Sequence, residues 1–239
     1  MPENKLSLLH TTNATIYESN KELETPRNIL KKIHMSKISK EAKSQYKAIL
    51  VSARKRKDDF PIPNRHPWHC KLAVTELLNH AQERQEELKE GEPVTIRLLT
   101  GSLTNHVYDD ELKNGLQKFL ESGGKVNIII WGKFLADTVD NPLIKFQNNY
   151  ENLKIRFSQT TEGGVQLNHF FLVDDDAYRF EAPHPYYPPE EFTDTHPEIS
   201  ARIVFNDKDS GTQLKIFFDD LWRVMDDLYF SQPVLSSIS

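Results

Sequence analysis

The chain has 239 residues, 38% of them hydrophobic and 27% charged, which suits a soluble globular protein of one large domain or one domain plus an appendage. No run approaches the roughly 18 apolar residues that cross a bilayer, and the start MPENKLSLLHTT lacks a charged-then-apolar leader, so neither a membrane span nor export is expected. A single cysteine, Cys70, excludes an internal disulfide and fits a reducing compartment; the expected location is the cytoplasm. The net charge of −5 is unevenly spread, because the stretch from Arg27 to Lys57 alone carries +10. Such asymmetry predicts either a basic surface for an anionic partner or the solvated face of a helix.

Residues 1 to about 25 are polar and aperiodic and read as an extended arm. Thr25-Pro26 is a helix start, with Ile29, Leu30 and Ile33 at helical spacing behind it. A second helical stretch places Ala42, Tyr46, Ile49, Leu50 and Ala53 on one face and ends in Arg54, Lys55, Arg56 and Lys57, the candidate nucleic-acid contacts. FPIPNRHP is broken by prolines and marks a boundary, so residues 1–65 form a basic helical extension and 66–239 an α/β domain. The next helix buries Leu72, Leu77, Leu78 and Ala81 and ends in an exposed acidic tail.

The pattern then changes to strand, helix, strand. VTIRLLT is a β-branched strand, and Tyr108 to Glu121 an amphipathic helix burying Leu112, Leu116, Phe119 and Leu120. Gly123-Gly124 stops that helix and VNIIIWG follows, which is the signature of a right-handed parallel crossover. Phe134 to Tyr150 reads as helical with a break near Pro142, and Leu153 to Ser158 as a third strand. A hairpin over Leu167 to Glu181 and a strand over Ser200 to Asp207 complete the sheet. The last helix, from Asp209-Ser210, carries the apolar stripe Leu214, Phe217, Phe218, Leu221, Trp222, Met225 and Leu228.

The hairpin LNHFFLVDDDAYRFE holds the residues that point to chemistry. His169 stands inside its first strand and Asp176 follows seven residues later. That spacing, with the order of elements around it and the closing Phe218-x-x-x-Trp222 helix, resembles the H-x-K-x-x-x-x-D half-motif of the phospholipase D superfamily. The resemblance covers roughly residues 92 to 230. It implies an α/β fold with a mixed sheet flanked by helices and preceded by the N-terminal helical extension. It also implies that His169 is the nucleophile on a phosphodiester or the acid in the partner role, and that Asp176 orients it. One motif in the chain implies a homodimer that brings two His169 residues together. A place in a bacterial defence-type system follows from family analogy alone.

This chain departs from the pattern at Phe171, where the family has its phosphate-binding lysine. The family's Gly-Ser step is absent too, replaced by FEAPHPYYPPEEF. Arg179 replaces the lost charge only if the hairpin register allows. A two-residue turn at Asp175-Asp176 turns Arg179 away from His169, whereas a three-residue turn puts Arg179 and Glu181 on the His169 face. Two readings stay open: a phosphodiesterase acting on or binding nucleic acid, with Arg179 and Glu181 in the site, and a catalytically inactive phospholipase D-like scaffold that mediates protein–protein interaction.

The other candidates read more plainly. Asp174, Asp175 and Asp176 are turn formers, and HPWHC supplies helix-start residues, so no metal and no cofactor are expected. His184 and His196 lie in a proline-rich loop after the hairpin, with His184 a candidate lid. TGSLTNH follows the first strand at a crevice position, where Ser102, Thr104, Asn105 and His106 line a site or cap the helix.

Overall fold

The computed structural model describes residues 26–64, 67–88, 91–103, 107–132, 141–159, 167–183 and 200–227. Contacts divide the chain into two units, Met1–Glu41 and Ala42–Ser239. Residues 42–64, which the sequence places with the basic extension, lie in the larger unit.

Helix α1 runs from Pro26 to Arg56 without the interruption expected between its two apolar stretches. No glycine or proline stands between Arg27 and Phe60, so nothing in the backbone ends the helix earlier. Within the larger unit its last turns bury Tyr46, Leu50 and Ala53 and leave Ile49 exposed. The proline-broken stretch holds a short strand, β1 (Ile62–Asn64). It forms the sheet edge beside the last strand, with Pro63 opposite Arg202. An edge is where a strand tolerates a residue without an N–H.

Helix α2 (Pro67–Glu87) precedes β2 (Thr95–Thr100), α3 (Asp110–Glu121) and β3 (Lys125–Gly132). Asp109 caps α3 by accepting from the Leu112 N–H at 3.1 Å, and Leu112, Leu116, Phe119 and Leu120 are buried as the periodicity predicts. Each such side chain contributes about 1.5–3 kcal/mol when fully buried. Gly123, at φ +94°, ends the helix, and a Cβ on Gly124 would run into the Phe119 ring. Asn141 caps the short helix α4 (Pro142–Phe146), which confirms the break at the proline; residues 133–140 lie outside the described chain. A 3-10 turn, Gln147–Asn149, leads into β4 (Leu153–Gln159). The hairpin strands β5 (His169–Val173) and β6 (Ala177–Glu181), then β7 (Ala201–Val204) and α5 (Lys208–Asp227), complete the unit.

The seven strands form one mixed sheet in the order β1-β7-β6-β5-β2-β3-β4. Strands β2, β3 and β4 are parallel and the remaining pairings are antiparallel. The last turns of α1, with α2 and α3, cover one face over a core that includes Ile96, Ile128, Phe171 and Ile203. Helix α5 covers the other, over Leu99, Ile129, Phe170, Leu172 and Tyr178. Phe218 stacks on Trp222 at 5.6 Å between ring centroids, and the Arg156 guanidinium lies 3.8 Å above the Trp222 ring. Phe217, assigned to the buried stripe by its spacing, is 43% exposed. It lies at the margin of the stripe, between the buried Phe218 and the exposed Ile216.

Candidate functional site

The alternation of β5 sends Phe170 and Leu172 toward α5, and His169, Phe171 and Val173 toward the α2 face. The register decides what they meet. Val173 pairs with Ala177, Phe171 with Arg179, and His169 with Glu181. The hairpin therefore closes through the three residues Asp174, Asp175 and Asp176. Directly paired residues share a face, so Arg179 and Glu181 stand on the His169 side.

The group lies at the carboxyl end of the parallel strands, where Thr100 ends β2. Open α/β sheets bind ligands at that end. Glu181 Oε2 accepts from Arg179 Nη1 at 2.9 Å and stands 3.7 Å from His169 Nδ1. Arg179 and Glu181 are each 5% exposed, whereas the His169 side chain is 23% exposed. The other imidazole nitrogen faces the turn after β2. A Cβ on Gly101 would lie 3.1 Å from His169 Nε2, so the absence of a side chain there lets the imidazole pack close to the turn.

Arg179 sits in a polar pocket beneath α2. Burial opposes its charge, but Cys70, Glu181 and Tyr108 outweigh burial and its pKa moves upward. Burial pushes the Cys70 thiol up to about 11, although Arg179 pulls the other way. The thiol is therefore neutral at pH 7, and Glu181 supplies the negative charge. Burial also raises the Tyr108 hydroxyl, which bonds to the Thr100 side chain. Thr100 Oγ1 in turn donates to the Ser102 carbonyl at 2.9 Å. Tyr46, stacked on His69 at 3.7 Å, donates to the Pro63 carbonyl and closes the pocket from the α1 side.

Asp176 is not beside His169. It lies in the turn at the far end of the hairpin, where Arg84 of α2 bridges Asp176 Oδ1 at 2.5 Å and Asp174 Oδ2 at 3.1 Å. Asp174 adopts φ +50° and accepts from the Thr95 N–H at 2.8 Å, so the acidic turn is pinned to β2 and α2. Asp176, seven residues on and beyond the Val173 end of β5, cannot orient the His169 imidazole; Glu181, across the ladder, is the acid in reach. Among the described residues, no group of three or more His, Cys, Asp or Glu is placed to hold a metal ion.

The basic cluster also divides. Arg54 is 8% exposed and points inward, with Nε 3.0 Å from Glu76 and Nη1 on Glu83. It ties α1 to α2 and presents no charge to a partner. Arg56 pairs with Asp58 at 2.6 Å on the surface. Lys55 and Lys57 are exposed.

No family model matches the chain, and no curated protein matches it. Solved structures do. The archaeal chromatin protein TrmBL2, described as showing a novel mode of DNA binding, is 15% identical over 83% of this chain and 65% of its own, with a TM-score of 0.45. Polyphosphate kinase from Porphyromonas gingivalis is 16% identical over 75% of this chain and 27% of its own, with a TM-score of 0.43. The chain spans less than two thirds of either protein.

Sequence reasoning missed Cys70, Tyr108, Tyr46 and Gly101. Cys70 carried a signal, since it closes the HPWHC run that opens α2. Tyr108 and Gly101 flank the loop already marked as a crevice position. Thr104 to His106, His184 and His196 lie outside the described residues. No helix among the described residues is long and apolar enough to cross a membrane.

Proposed function

We propose that the chain is a phospholipase D-like protein acting on nucleic-acid phosphodiesters, with His169, Arg179 and Glu181 as its working group. The observation that carries this reading is the three-residue turn of the hairpin, which aligns those side chains on one face. In the proposed step His169 Nε2, which stands beside Gly101, attacks phosphorus. An N–P bond forms, the P–O bond to the leaving group breaks, and that oxygen takes a proton from the His169 of a second copy. Water then attacks the phosphorus and gives a proton to that second imidazole, the N–P bond breaks, and the phosphate end leaves with His169 free again. Arg179 supplies the positive charge that Phe171 cannot, where negative charge develops on the phosphoryl oxygens. Glu181 orients His169 through Nδ1 in place of Asp176. Lys55 and Lys57, exposed at the end of α1, neutralise the nucleic-acid backbone. The single cysteine suits a reducing cytoplasm.

The test is hydrolysis of bis(p-nitrophenyl) phosphate and of labelled single- and double-stranded DNA and RNA by wild type and His169→Ala. The variant is expected to lose activity while its melting temperature stays near wild type. Unchanged activity removes His169 from the nucleophile role.

A second reading has its own observation. Arg179 and Phe171 are both almost fully buried, which suits a filled former pocket on a binding scaffold. It expects no hydrolysis by wild type and retained partner binding by His169→Ala.

A further inference from the structure

At the other end of the sheet from His169, the start of β2 and the Asp174–Asp176 turn border a cleft of about 780 Å3. That is the size of a small-molecule site. Its charges fall into two classes. Arg84 is committed to Asp174 and Asp176, and Arg97 to Asp219. Lys57 and Lys215 also line the cleft, yet neither forms an ion pair among the described residues. The same holds for Asp175 and Glu87 on its acidic side. His80, from α2, lines the cleft as well. It is 4% exposed, and its Nε2 is buried with no hydrogen-bond partner. Nearly all buried polar atoms of native proteins are partnered, so this nitrogen marks a place for a ligand atom.

We infer that this cleft binds a small phosphate monoester whose body carries hydroxyl or amino donors, such as a mononucleotide or a sugar phosphate. Lys57 and Lys215 hold the phosphate. A phosphate monoester carries about −1.5 to −2 at pH 7 and matches two lysines, which a single carboxylate does not. Asp175 and Glu87 accept from the donors of the body, and His80 Nε2 meets a group at the back of the cleft. A bare phosphate ion fills little of the volume and leaves the two acids unmet. The site is separate from His169 and does not depend on the phosphodiesterase reading.

The test is calorimetric titration of the full chain with AMP, GMP, glucose 6-phosphate and inorganic phosphate, repeated on Lys57→Asn/Lys215→Ala and on His169→Ala. Asparagine tolerates the positive φ of Lys57, and neither lysine leaves a buried partner behind, so the double variant is expected to fold; its melting temperature checks this. The expected result is saturable binding of at least one of the three organic phosphates, weakened tenfold or more in the double variant and unchanged in His169→Ala. Which of them binds distinguishes nucleotide from sugar. Three results overturn the inference: no organic phosphate binds, binding survives loss of both lysines, or inorganic phosphate binds as tightly as the organic esters.

Discussion

Arg179 and Glu181 lie two residues apart on β6 and share a face, and Glu181 Oε2 accepts from Arg179 Nη1 at 2.9 Å with both side chains almost wholly buried. Removing one partner of such a pair leaves an uncompensated charge in the interior, at a cost of about 3–5 kcal/mol. Arg179→Met and Glu181→Leu should each lose stability of that order in urea unfolding. The double variant should lose less than either single one. Two near-wild-type single variants would mean that the pair is not the buried contact described.

Phe171 faces Arg179 across the ladder and is packed in the core. A lysine there, as in the phospholipase D half-motif that the sequence resembles, should not make a better site. Phe171→Lys sets a second cation beside a buried guanidinium and removes a core aromatic ring, so the expected outcome is a loss of about 3 kcal/mol or more. Thermal denaturation reads this directly, and a variant as stable as wild type would show the pocket to be open to solvent.

Gly101 packs close to His169 Nε2 without a side chain between them. Gly101→Ala places a methyl group 3.1 Å from that nitrogen, so the ring must move or the approach of phosphorus is blocked. Hydrolysis should fall about 100-fold, as a small misplacement at a reacting centre does, with the fold retained. Activity equal to wild type would separate Nε2 from the reaction.

The basic cluster splits into structural and exposed members. Arg54→Ala should cost about 3 kcal/mol or more in unfolding free energy, because it strands the buried Glu76. Lys55→Ala/Lys57→Asn should leave stability unchanged, asparagine tolerating the positive φ of Lys57, and reduce the salt dependence of nucleic-acid binding by about two in slope. A filter-binding series from low to high salt checks the second point, and an unchanged slope would place the partner elsewhere.

His80 makes stability depend on pH. Burial, with Arg84 next, lowers its pKa to about 4, and Lys57 and Arg54 act in the same direction against Glu83. The unfolded chain therefore binds a proton between about pH 6.5 and 4 that the folded chain refuses, and stability falls as pH falls through that window. The loss amounts to about 3 kcal/mol at its lower end. Burial raises the pKa of Asp176, which acts in the opposite sense as pH falls. The comparison is thus between wild type and His80→Gln, whose unfolding free energy should lack the His80 share of the slope. Identical slopes would sink the assignment.

Much of the sheet was legible because its strands are apolar on both faces and its helices are strictly periodic, as in α3. The hairpin register was not, because alternation is blind to turn length: the run Asp174, Asp175, Asp176 fits a two- or three-residue turn equally well. Tertiary anchoring resolves it, since the Thr95 N–H and Arg84 grip Asp174, and a Cβ on Gly211 would collide with the Asp175 carbonyl. The basic run misled at Arg54 for a related reason. Composition counts charges, but only packing shows that Glu76 and Glu83 turn one of them inward.

The central claim is that Arg179 and Glu181 make His169 a phosphoryl acceptor despite Phe171. Intact-mass spectrometry of the chain, quenched in base during turnover of a DNA or RNA substrate, tests it most directly. The expected result is an adduct in which the phosphoryl end of the cleaved DNA or RNA fragment is joined to His169, which is lost on acid treatment and absent in His169→Ala. Turnover with no adduct at His169, or an adduct that survives His169→Ala, would contradict it.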